Sequence, residues 1–120
     1  MIEDKIKYYQ KLFGLENWTI IVQKSPVDIE QRNAKTLADP RYYQAIMTVY
    51  PILLANPEIW DEIVIHELIH VLMAQYDFYV DNFTEFSKLP EKAAEELYFG
   101  AREGSVSQIT SIIMRILNGK

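Results

Sequence analysis

The sequence predicts a small α+β domain: an N-terminal helix, a three-stranded antiparallel sheet, a buried helix and a second long helix at the C-terminal end. Three observations carry this prediction. Apolar side chains recur at helical spacing over residues 2–13. Three short extended stretches follow, closed in turn by Pro26, Pro40 and Pro51. Beyond Asn56-Pro57 the chain turns helical, with apolar residues nearly all the way round. At 120 residues, about half of them apolar, the chain fits one domain over 1–120 with a core of its own.

In the first helix Ile2, Ile6, Tyr9 and Phe13 share one face, and Gly14 supplies the stop. Trp18 to Gln23 reads as a strand because Thr19, Ile20, Ile21 and Val22 favour the pleated surface. Residues 28–33 are polar and read as loop, and Ala34 to Ala38 is a short second strand. Tyr43 to Tyr50 is the third. Short links between the three predict an antiparallel meander. Asn56 can cap the next helix, Pro57 suits its first position, and Glu58, Asp61 and Glu62 match the positive end of its dipole. This helix is expected over 57–75. Asp77 to Leu89 reads as a connecting loop. A last helix is expected from Pro90-Glu91 to about Leu117, its stripe formed by Leu97, Val106, Ile109, Ile113 and Ile116, with a kink or split at Gly100 and Gly104.

Composition narrows the function classes. The net charge is −5 and Lys and Arg are nowhere clustered, which argues against nucleic acid and against an anionic membrane surface as partners. The absence of cysteine removes disulfides, thiolate ligands and a thiol nucleophile. The start Met1-Ile2-Glu3-Asp4-Lys5 lacks the pattern of a secretion signal, and polar residues interrupt the most apolar stretch. A cytoplasmic protein is expected.

The chemistry concentrates at His66-Glu67-Leu68-Ile69-His70, which matches H-E-x-x-H. Residues four apart on a helix stand one turn above each other, so two imidazoles can converge on one metal ion. The Glu beside the first His then lies where it can take a proton from a metal-bound water. The chain has two histidines, and both fall in the motif. Zn2+ suits the set because it accepts imidazole and carboxylate in a tetrahedron with one position open. The neighbours Ile63, Val64, Ile65, Leu68, Ile69, Val71, Leu72 and Met73 predict a buried helix, in which three polar side chains cost several kcal/mol without a compensating partner. The competing reading is that both histidines are ordinary core residues and Glu67 reaches solvent.

A third ligand must come from elsewhere. With no further His and no Cys, a carboxylate is the natural donor. The longer H-E-x-x-H-x-x-G-x-x-H pattern is absent, since Met73 and Tyr76 stand where Gly and His would be. On the last helix Glu103 is the first candidate, set in a small and apolar stretch before Val106, Ile109 and Ile113, with Gly100 and Gly104 allowing close approach. Glu96 lies two turns earlier on the same face and is next, followed by Glu95 and Glu91.

With these residues in place, the sequence resembles the gluzincin metallopeptidases, in particular minigluzincin-like and related phage-type proteins. The resemblance rests on Trp18 to Val22, Tyr43 to Val49, His66 to His70, and Glu103 followed by Val106 and Ile109. Only the zinc motif is specific. The resemblance implies a reduced zincin core and a strand before the active-site helix, residues 43–50, lying at the sheet edge to bind extended peptide. The chain has no further His to steady an oxyanion, so that role falls to a tyrosine such as Tyr76 or Tyr98, or to nothing.

The expected activity is zinc-dependent hydrolysis of a peptide or protein substrate, with Glu67 as base and His66, His70 and Glu103 as ligands. A latent or non-catalytic zinc-binding regulator, a metal-free interaction module and an intracellular regulatory peptidase acting on a repressor-like protein are the rivals.

Overall fold

The computed structural model describes residues 1–28, 31–86 and 91–119, and the side chains of these residues other than 75–101. Helix α1 spans Ile2–Leu12 and buries Ile2, Ile6 and Tyr9. Gly14, at φ +70, turns the chain out of it, a conformation that a residue with a Cβ adopts only at a cost. Strands β1 (Thr19–Lys24), β2 (Ala34–Asp39) and β3 (Gln44–Val49) form one sheet.

The sheet is mixed, not an antiparallel meander. Its order is β1-β3-β2, with β1 parallel and β2 antiparallel to β3. Connection length explains the difference. Residues 40–43 form a link short enough to fold β3 straight back along β2, whereas residues 25–33 are long enough for the chain to leave a gap beside β1. The gap is filled by β3, which runs in the same direction as β1. The strand expected at the sheet edge, residues 43–50, is therefore the central one.

Pro51 stops β3, as expected, and also opens a short helix, α2 (Pro51–Leu54). The Asp28 carboxylate accepts the Ile52 N–H at 2.9 Å and so serves this helix start from across the loop. Asn56 does not cap with its side chain; its amide donates instead to the Ile52 carbonyl at 2.7 Å. A single 3-10 turn, Pro57–Ile59, then leads into α3, Trp60–Phe86. This helix covers much of the segment expected to be loop, because neither Gly nor Pro occurs between Glu58 and Leu89 to end it. The last helix, α4, runs unbroken over Glu91–Asn118.

The core lies between the inner sheet face and α1, α3 and α4. Ala45, Met47 and Val49 of β3 pack with Val64, Ile65, Leu68, Ile69 and Val71 of α3 and with Val106 of α4. Each fully buried aliphatic side chain contributes about 1.5–3 kcal/mol, so this one face of α3 anchors the helix. The expected stripe of α4 is partly corrected. Val106 is buried and Ile113 packs against the core, but Ile109 and Ile116 are exposed. Thr110 takes the place expected for Ile109 and satisfies its hydroxyl by donating to the Val106 carbonyl at 2.7 Å. The side chain of Leu97 lies outside those described. Among the described residues, no helix is long and apolar enough to cross a membrane.

Candidate metal centre

His66, Glu67 and His70 sit in the first half of α3. Their helical spacing puts the two imidazoles one above the other, with ring centroids 5.1 Å apart. The rings are not sealed in the core. Their side chains are 24 % and 18 % exposed, because they form the wall of a cleft rather than its interior support. Glu67, turned about 100° from His66 on the helix, points under the sheet and is 6 % exposed. The ligand atoms of these three residues lie within 4.8 Å of one another, an arrangement that could hold a metal ion.

Helix α4 brings a second carboxylate to the same place. Glu103 Oε1 lies 3.4 Å from His70 Nε2, and Glu103 Oε2 lies 3.8 Å from His66 Nε2. The site thus contains two carboxylates with different attachments. Glu67 is tied to the sheet, since the Thr36 hydroxyl donates to its Oε1 at 2.7 Å. Glu103 faces the two imidazoles from the opposite wall. Donors on one tetrahedral metal ion, each about 2.0–2.1 Å from it, stand roughly 3.4 Å apart, close to the separations between Glu103 and the two histidines. The glycine expected to let α4 approach has another setting: a Cβ on Gly104 would meet open space. The other candidates, Glu91, Glu95 and Glu96, the helix glycine Gly100 and the tyrosines Tyr76 and Tyr98 have side chains outside those described.

A cleft of about 820 Å³ opens over the two histidines, between β2, α3 and α4. Its upper wall is β2, a strand for which the sequence signal was weak. The Tyr50 N–H donates to the Asn33 carbonyl at 3.1 Å, which fixes the alternation along this antiparallel pair. Lys35, Leu37 and Asp39 turn their main-chain groups toward β3, and Ala34, Thr36 and Ala38 turn theirs toward the open edge. The side chains of Ala34, Thr36 and Ala38 are half-buried on the α3 side. Their small size leaves the space that the cleft occupies. Thr36 could not have been singled out from the sequence, because its role depends on the register of β2 over α3.

No family model matches the chain, and no match to it was found among the curated proteins or the solved structures.

Proposed function

We propose that the protein is a zinc-dependent peptidase of gluzincin type. The observation that supports this most strongly is the convergence of Glu103 on both imidazoles, at 3.4 and 3.8 Å, beside a differently tethered Glu67. In this reading His66, His70 and Glu103 would hold the ion. Two imidazoles and a carboxylate, without a thiolate, suit zinc.

When bound, zinc supplies Lewis acidity toward a peptide carbonyl and toward water. The remaining chemistry belongs to the chain. Glu67 accepts a proton from the attacking water and hands it to the departing amine. Thr36 holds one oxygen of Glu67, and the other is assigned to that proton. The open edge of β2 receives the substrate as an added strand through the main-chain groups of Ala34, Thr36 and Ala38. Ile63 and Ala74 of α3 also line the cleft and offer the peptide an apolar surface.

Metal analysis of protein purified without added metal, together with an anomalous-scattering map at the zinc edge, tests the ion and its ligands. A mass-spectrometric screen against a peptide library tests cleavage. One zinc per chain, held by residues 66, 70 and 103, and cleavage lost in Glu67→Gln are expected. Zinc without cleavage of any peptide would leave a non-catalytic zinc-binding protein. The absence of zinc would refute the whole reading.

A further inference from the structure

Thr36 contributes to the cleft in two ways at once. Its main chain lies at the open edge of β2, while its hydroxyl crosses to α3 and donates to Glu67 Oε1 at 2.7 Å. Its neighbours on the same side of the strand, Ala34 and Ala38, carry methyl groups only, so Thr36 is the one polar side chain that β2 turns toward the helix. A threonine hydroxyl often bonds within its own turn of chain; this one spans 31 positions in sequence to reach a carboxylate that is 6 % exposed. We propose that Thr36 is a positioning residue that sets the Glu67 carboxylate in register with a peptide added to β2. The inference rests on the peptidase reading above.

The physical logic is one of freedom removed. A glutamate side chain has three rotatable bonds, and without a partner its carboxylate samples several rotamers. A hydrogen bond to an ionised acceptor is strong enough to favour one of them by about tenfold or more. Because the same residue offers its main chain at the strand edge, a peptide paired there is aligned with the carboxylate through a single rigid element. The donor hydroxyl matters in this scheme, and the branched shape of the side chain does not.

The test compares Thr36→Val, Thr36→Ser and Thr36→Ala in the full chain loaded with zinc. Valine keeps the shape and removes the donor; serine keeps the donor; alanine replaces valine if that variant fails to fold. Zinc affinity, read by chelator competition, should stay within about twofold of wild type in all three, since the Thr36 hydroxyl donates to Glu67, which is not among the proposed ligands. Acetohydroxamic acid gives up a proton on chelation, and a fixed neighbouring carboxylate favours its binding. Its affinity should fall by roughly tenfold in Thr36→Val or Thr36→Ala and return to within about threefold in Thr36→Ser. On a peptide found in the library screen, kcat should fall by a similar factor with KM unchanged, because the strand edge is intact. Unchanged hydroxamate affinity in the valine and alanine variants, or no recovery with serine, would overturn the inference while the peptidase reading survives. A parallel loss of zinc affinity and rise in KM would overturn it by showing a merely structural role. Wild-type protein that binds no zinc would remove both.

Discussion

Asp61 and Glu67 lie on the same helix less than two turns apart, and the protein treats them in opposite ways. Asp61 receives the Lys5 ammonium at 3.0 Å and the Tyr9 hydroxyl at 2.9 Å, both on Oδ1. That cluster joins α1 to the start of α3 and is neutralised by the chain's own cation. Glu67 is far more buried, yet its described partner is a neutral hydroxyl. Around it stand two imidazoles and a further carboxylate, in a cleft that Arg32, Lys35 and Arg102 also line. A carboxylate given an internal cation serves the fold. One held by a hydroxyl, among groups that could hold a metal ion, belongs to a candidate site instead.

Substitution at the two positions should separate these roles. Glu67→Gln should lower hydrolysis by about 10²–10⁴-fold, the usual contribution of a positioned base, with zinc retained on metal analysis. Asp61→Asn should leave the turnover of folded protein near wild type and reduce thermal stability instead. A Glu67→Gln variant that still cleaves would abolish the distinction. The next effect in size concerns Glu103. Its replacement by Ala should weaken zinc binding by at least about 10–100-fold, the loss seen even for partners one step removed from a metal; unchanged affinity in a chelator competition would assign the third ligand elsewhere.

Metal binding itself sharpens the comparison. Zinc at about 100 times its Kd should stabilise the folded state by about 2.7 kcal/mol and raise Tm by roughly 10 °C, as measured by calorimetry with and without chelator. The same addition should do little in His66→Ala, whereas Asp61→Asn should keep the full increment.

The smallest effect is the pH dependence of the Asp61 cluster. Burial alone would raise the Asp61 carboxyl, but the hydrogen bonds from Lys5 and Tyr9 hold it below its usual value of 3.8. Its contribution to stability is therefore present above that value and is lost as pH falls through the lowered one. Tyr9 has the opposite sign: burial first, then the hydrogen bond to Asp61, pushes its hydroxyl from 10.0 up to about 12. That contribution is full below pH 10 and disappears as pH rises toward about 12. Melting curves should show wild type losing stability over this alkaline range more steeply than Tyr9→Phe. Equal slopes would mean that the cluster carries no linkage.

Much of this arrangement was legible in the residues themselves. The apolar spacing of Ile2, Ile6 and Tyr9 marked α1, the prolines marked the strand ends, and the four-residue spacing of His66 and His70 marked a shared helix face. These features are local, and local sterics and periodicity decide them. The end of α3 was misread because aromatic and acidic composition between Asp77 and Phe86 looked like loop, although nothing in it breaks a helix. The order of the strands was misread because pairing partners are chosen by the whole packed sheet and not by any one strand.

The chain by itself determined that two imidazoles and a carboxylate would share one stretch of helix, since backbone geometry converts their spacing directly into proximity. Tertiary structure alone decided which strand would border the cleft, that Thr36 would reach Glu67, and that Glu103 would come to face both histidines. Those contacts join residues dozens of positions apart. They arise where one face of the sheet and one face of each helix are buried against each other.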